Sequence, residues 1–228
     1  MKSIIFIPLL IINLTVLYSQ TYQSALIKAN HYIQTITPLK VRVKCYVYQN
    51  ETDTNKSYIN ETLILRNSSN SYYQFMDTKI FKSLHSEFTV NDKFHEVTYQ
   101  TYTQDSLRTP IIALDSSQIK FDSIIQTIDN DVTIYEVYSI NSSFKFVKLY
   151  YSRSTTSIIK VQYYYEQSTT PQEQYPYMTE LLYSYEQKLT DADFDLLKQS
   201  NYYSVSANKI IPNKRFESYT FTNYESKD

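Results

Sequence analysis

The chain has no glycine in 228 residues. Glycine is the residue that enters left-handed backbone without steric cost, so every tight turn here must be built from something else. Asn, Asp and Ser are the expected substitutes, because they tolerate such backbone and hydrogen-bond it locally. The same absence removes whole chemistries. A phosphate-cradling loop, a dinucleotide fingerprint and a nucleophile elbow all need glycine where the backbone turns sharply or meets a ligand. Tyrosine, at 25 residues, with no tryptophan, tilts the composition toward strands. Formal net charge is -1. That gives no electrostatic case for nucleic acid or for an anionic membrane surface.

The N-terminus, "MKSIIFIPLLIINLTVLYSQ", carries one lysine, an apolar run from Ile4 to Leu17, then Ser19 and Gln20. The run is short for a membrane span, which takes roughly 20 apolar residues. It predicts a signal peptide over residues 1–19, cleaved near Ser19, and a periplasmic protein, with secretion as the alternative. An uncleaved anchor is the competing reading. Residues 20–228 then suffice for one domain with a sizeable core.

Tyr22, Leu26, Ala29, Ile33 and Ile36 recur at steps of four and three, one helical stripe. Thr37-Pro38 should stop that helix. "LKVRVKCYVY" then alternates strictly, with Leu39, Val41, Val43, Cys45 and Val47 on one face. Cys45 is the only cysteine and cannot form an internal disulfide; the alternation predicts a buried free thiol. Residues 58–66 and 71–77 read as strands. Residues 84–91 and 93–102 read as a hairpin with Asn91-Asp92 as a two-residue turn. "TPIIALDSSQIKFDSIIQTID" reads as a partly helical crossover. Strands resume at "VTIYEVYSI", "FKFVKLYYS", "SIIKVQYYYEQ" and "YPYMTELLYSYEQ", with "SRSTT" as a tight turn. Thr190 with Asp193 is a helix-capping signature, and "SYTFTNY" reads as a last strand.

In that hairpin Val90 would face Lys93, which pairs His85 with Thr98, His95 with Phe88, and Glu87 with Glu96. His85, Glu87 and Glu96 on one face could hold a cation, but the spacing matches no familiar site. A solvated face balanced by lysines is the plainer reading, and neither a metal nor any cofactor is expected. Three scattered histidines and unpatterned carboxylates give no catalytic constellation, so an enzyme is not expected. The tyrosines read as sheet residues with an apolar body and a wet tip. Asn50, Asn55, Asn60, Asn67 and Asn141 head N-x-S/T sequons, of consequence only in a eukaryotic secreted protein.

The order of the pieces resembles the outer-membrane lipoprotein carrier superfamily, the LolA/LolB-like proteins. An exported helix and an alternating first strand are followed by "LILRNSSNSYYQF", where Leu63, Leu65 and Arg66 match an apolar run closed by arginine. "FTVNDKFHEVTY" is similar to the next family strand pair, with Asn91-Asp92-Lys93 at its turn and Tyr99 at an aromatic position. "RTPIIAL" falls where the family has internal helices, and "FVKLYYSRSTTSIIKVQYYY" is similar to its late hairpin. The similarity runs over about residues 22–190, as pattern rather than identity. The missing glycines depart from it, Asn67 stands in place of a proline, and the tail from about residue 190 is longer than a minimal carrier needs.

The resemblance implies a mainly β protein with helices (α+β): a single curved antiparallel sheet forming an incomplete β-barrel, covered by the N-terminal helix and the crossover. It implies a periplasmic carrier that binds acyl chains of lipoproteins or other lipids in an apolar concave groove. The groove expected on that basis is Val41, Val43, Leu63, Leu65, Tyr73, Phe75, Phe88 and Val90. The expected partners are lipid and membrane-bound donor and acceptor proteins, no nucleic acid, and the expected state is a monomer. By the same resemblance Arg66 would latch a lid by bonding helix carbonyls. Its plainer reading is a solvent-facing strand end, and the sequence leaves open which sheet face is concave. The alternative function is a secreted β-rich structural or interaction module with no small-molecule ligand.

Overall fold

The computed structural model describes residues 6–51, 56–102, 121–139, 144–166, 176–207 and 209–224. Helix α1 covers Phe6–Thr35. Strands β1 (Leu39–Tyr48), β2 (Ser57–Arg66), β3 (Ser71–Phe75), β4 (Thr78–Lys82), β5 (Ser86–Asn91) and β6 (Glu96–Thr101) follow. Then come β7 (Phe121–Asp129), β8 (Val132–Ser139), β9 (Phe144–Ser152), β10 (Ser157–Tyr165) and β11 (Met178–Glu186). The C-terminal part holds helix α2 (Asp191–Leu196), the hairpin β12 (Tyr203–Ser206) and β13 (Lys209–Pro212), and β14 (Thr220–Tyr224). The fold class is α+β, one large sheet in the order β14-β6-β5-β4-β3-β2-β1-β11-β10-β9-β8-β7 plus the β12-β13 pair. Among the described residues the order of the large sheet ends on β14 and β7. Neighbouring strands pair antiparallel from β2 to β6 and from β7 to β11, whereas β14 runs parallel to β6.

The chain forms two compact units, and β1, β2 and β11 run through both. One, the helix unit, contains Met1–Thr35, Lys44–Ile59 and Pro110–Tyr183. The other, the tail unit, contains Ile36–Val43, Asn60–Thr109 and Ser184–Asp228.

In the helix unit the stripe read from the sequence is buried: Tyr22, Leu26, Ala29 and Ile33, joined by Ala25. Ile36 lies beyond the last helical residue and is half-buried. The sheet beneath is an antiparallel meander, β7 to β11, in consecutive order. The register pairs Gln126 with Tyr135 and Ile128 with Thr133. It also pairs Thr133 with Tyr151 and Tyr135 with Leu149, so these side chains share one face. Residues 121–129, expected in a partly helical crossover, are strand β7; Ile124 is buried and Ile125, on the other face, is exposed, while Ile128, which shares the face of Ile124, is exposed toward the end of the strand. The first part of that crossover, with "RTPIIAL", lies outside the described residues.

In the tail unit, β3 and β4 are joined by a tight turn at Met76-Asp77 that the sequence reading ran through. The β5-β6 turn is four residues, not two. Asn91 pairs with Glu96, Val90 with Val97, Phe88 with Tyr99 and Glu87 with Gln100. The expected Glu87–Glu96 juxtaposition is therefore absent, and with it the arrangement around His85. The slip arises because His95, at φ 53°, closes the turn in left-handed backbone. A four-residue shift preserves the faces, so the apolar alternation survived while the partners changed.

Five described residues have positive φ: Met76, His95, Asn130, Thr156 and Ala207. Only Asn130 belongs to the types expected to replace glycine. Cys45 is free and half-buried rather than buried, because the covered stretch of β1 ends at Val43.

Candidate functional site

The eight expected groove residues divide between two faces of the sheet. Leu65 pairs with Tyr72, which pairs with Phe81, then Phe88, then Tyr99. Leu63 and Val90 share that face by alternation. Tyr73, opposite Ile64 and Ile80, lies on the reverse face with Phe75. For β1, Lys40 reaches Asp193 and Arg42 reaches Glu61. Glu61 shares parity with Leu63 and Leu65, so Val41 and Val43 go with Tyr73 and Phe75. The structure thus brings together Leu63, Leu65, Phe88 and Val90, and separates them from the other four.

The face of Leu65, Phe88 and Val90 is covered by the chain itself. Leu197, Tyr202, Tyr203 and Phe216 pack on it, and all three sheet residues are 0% exposed. Tyr202 stacks on Phe81 at 4.6 Å between ring centroids, and Tyr203 on Phe88 at 5.4 Å. Lys40 and Asp193 form a buried ion pair at 2.9 Å. Asp193 also closes the capping box with Thr190. Burial would raise the Asp193 pKa, but the Thr190 backbone N–H, the Lys40 ammonium and the Thr190 hydroxyl outweigh it and hold it below the usual value. Asn70 Nδ2 donates to Leu197 O at 2.9 Å, and the Ser86 and Tyr203 hydroxyls share a hydrogen bond at 2.8 Å.

Arg66 is 8% exposed, so it is not a solvated strand end. Its Nη2 donates to the backbone carbonyl of Ile36 at 2.7 Å, one residue past α1. Burial lowers its pKa, with Tyr73 opposing, and guanidinium stays charged at any ordinary pH.

The helix unit holds a cavity of about 570 Å³ that the sequence reading missed. One wall is α1, presenting Gln20, Thr21, Ser24, Ala25 and Lys28, a stripe beside the buried one. The other wall is the covered face of β7, β8 and β9, with Gln126, Ile128, Thr133, Tyr135 and Tyr151. Arg153 and Thr156, in the β9-β10 turn, complete it. The walls are stitched at one end. Thr21 Oγ1 donates to Gln126 Oε1 at 3.0 Å, Tyr135 Oη donates to Thr21 O at 3.4 Å, and the Tyr22 and Tyr135 rings meet edge to face at 5.5 Å. Burial raises the pKa of Tyr135 and of Tyr151 above the usual phenol value, so both are neutral at neutral pH. The lining charges are therefore cationic, Lys28 and Arg153. Their wide separation in sequence hid the site, although the polar stripe beside the α1 core stripe was legible.

On the reverse face of the helix unit, tyrosine hydroxyls bond a polar row. Tyr138 donates to Glu136, Tyr150 and Tyr164 donate to Gln162, and Tyr48 donates to Glu180. Gln162 Nε2 donates to Glu180 Oε2 at 2.8 Å, and Lys148 pairs with Glu136 at 2.7 Å. These tyrosines have the wet-tip role expected of them. Among the described residues no three His, Cys, Asp or Glu side chains are placed to hold a metal ion. No described helix is long and apolar enough to cross a membrane.

Comparison with protein-family models finds no match, and comparison with curated proteins finds none. Solved structures do match. An uncharacterized conserved protein from Thermus thermophilus is 8% identical, over 90% of this chain and 99% of that one, with a TM-score of 0.42. A LolA superfamily protein from Nitrosomonas europaea is 14% identical, over 78% and 97%, with a TM-score of 0.30. A DUF1329 family protein from Desulfovibrio piger is 11% identical, over 78% and 97%, with a TM-score of 0.30.

Proposed function

We propose that the protein is a non-enzymatic carrier that takes up lipid acyl chains between α1 and the sheet of the helix unit. The observation that carries this reading is the cavity of about 570 Å³ between those walls. Ligand cavities run to about 300–1,000 Å³ and combine an apolar floor with a few placed polar groups. Here Ala25, Tyr135 and Tyr151 supply a buried floor, and Lys28, Arg153 and Ser24 an exposed rim. Carriage is worth a protein's while because a shielded CH₂ is favoured by about 0.8 kcal/mol over an exposed one. Export to the periplasm after removal of residues 1–19, hand-over between membrane-bound donor and acceptor, and a monomeric state belong to the same proposal. Arg66 is its latch: by holding Ile36 it restrains the chain just past α1.

The test is mass spectrometry of organic extracts from natively purified protein, with titration by a fluorescent acyl probe. Co-purifying lipid and saturable binding support the carrier. Neither, together with a probe that fails to displace anything from the cavity, defeats it. The self-filled face at Leu65, Phe88 and Val90 favours a second reading for the tail unit alone, a structural module without a ligand.

A further inference from the structure

We infer that the cavity of the helix unit selects amphiphiles with an anionic head group, held between Lys28 and Arg153. The inference rests on the carrier reading and deepens it by naming the ligand class. The two cations come from opposite walls, Lys28 from α1 and Arg153 from the β9-β10 turn, and both line the cavity. Both are exposed at the rim, whereas Ala25, Tyr135 and Tyr151 are buried beneath. An amphiphile entering tail first therefore leaves its head level with two positive charges.

The local charges leave room for that head. Asp131 is the carboxylate beside Arg153, and it is already committed: it accepts from the Ser152 hydroxyl at 2.7 Å, from the Ser154 hydroxyl at 2.7 Å and from the Ser154 backbone N–H at 2.8 Å. Those bonds from Ser152 and Ser154 hold its pKa below the usual value, and Arg153 adds to the effect. Arg153 Nη2 donates to the Asn130 carbonyl, one of the five N–H donors that a guanidinium carries. Among the described lining residues there is no carboxylate. The other described polar side chains of the lining, among them Gln20, Thr21, Ser24, Gln126, Thr133 and Thr156, offer hydroxyl and amide donors and carry no negative charge. A carboxylate or phosphate monoester fits this set; a choline head brings a like charge to Lys28 and Arg153.

The experiment compares cis-parinaric acid with its methyl ester, which differ in head-group charge and share the same chain. Wild-type protein is expected to bind the acid more tightly. Lys28→Gln and Arg153→Gln are each expected to weaken the acid about two- to fivefold, the scale of exposed charge pairs. The double variant should abolish the preference for the acid over the ester. Added salt should narrow the acid–ester gap in wild type. Displacement of the acid by palmitate or by lysophosphatidic acid then tells a carboxylate head from a phosphate head, and monoacylglycerol serves as the neutral competitor. Equal binding of acid and ester by wild type, or an unchanged preference in the double variant, overturns the inference and leaves the carrier standing. Binding of neither probe overturns both.

Discussion

The guanidinium of Arg66 donates to the carbonyl of Ile36 at 2.7 Å, across 30 residues of sequence, from a side chain that is 8% exposed. A charge-assisted bond of this kind contributes about 1.5–3 kcal/mol. Arg66→Leu should therefore lower stability by that order, visible as a reduced urea midpoint. If the bond also restrains a closed state, the variant should bind an acyl probe more tightly, by about tenfold to a hundredfold. Arg66→Lys should fall between, since ammonium keeps the charge and loses the planar fork. A stability loss with unchanged probe affinity would leave Arg66 a structural bond and remove it as a latch.

Lys40 and Asp193 hold the C-terminal segment to β1 from the interior, at 2.9 Å. Removing one member strands the other, so Lys40→Met should cost about 3–5 kcal/mol, and Lys40→Met with Asp193→Leu less than the sum. The Asp193 pKa is lowered from 3.8 in the folded protein. Its contribution is thus fully present above that value and is lost as pH falls through the lower folded value. Denaturation followed from pH 6 to pH 2 should show Asp193→Asn less stable than wild type at the upper end and converging on it at the lower end. A constant gap would mean that packing and not charge makes the difference.

Met76 sits at φ 49° in the β3-β4 turn, half exposed. Left-handed backbone costs a residue with a Cβ about 1–2 kcal/mol, and glycine nothing. Part of that gain is offset by the freedom glycine adds to the unfolded chain. Met76→Gly should stabilise the protein by roughly 0.5–1 kcal/mol by those figures, read as a rise in the thermal midpoint. A fall would show that the Met76 side chain has a packing role its exposure does not suggest.

The strands were legible because alternation and turn chemistry act over neighbouring residues. Val41 with Val43, the β9-β10 hairpin around Arg153 and the Thr190 cap were all written locally. What escaped was set by partners distant in sequence. The β5-β6 register depended on His95 adopting positive φ, which the alternation of the flanking residues does not signal. Cys45 continues the pattern of Val43 in sequence but lies past the end of the cover. The apolar face at Phe88 read as open for a ligand because Tyr203, which closes it by stacking, lies far along the chain. The candidate cavity was invisible for the same reason: Thr21 meets Gln126 across 105 residues, and only the fold puts Lys28 and Arg153 on one rim.

Tyr202 is the keystone of the face that closes the tail unit. It is 1% exposed, stacks on Phe81, tilts against Tyr72 and Phe88, and donates from its hydroxyl to Leu196 O at 2.7 Å. Burial and the nearby Tyr72 push its pKa up, so the hydroxyl remains a donor across the physiological range. Two substitutions separate its roles. Tyr202→Phe keeps the ring and deletes the donor, leaving a carbonyl short of one partner, and should cost about 1–3 kcal/mol. Tyr202→Ala deletes the ring and opens a cavity against Phe81, and should cost about 3–5 kcal/mol. The ordering of the two urea midpoints is the measurement. If Ala cost no more than Phe, the C-terminal segment would be a dispensable cover, and the face of Leu65, Phe88 and Val90 would become available to a ligand after all.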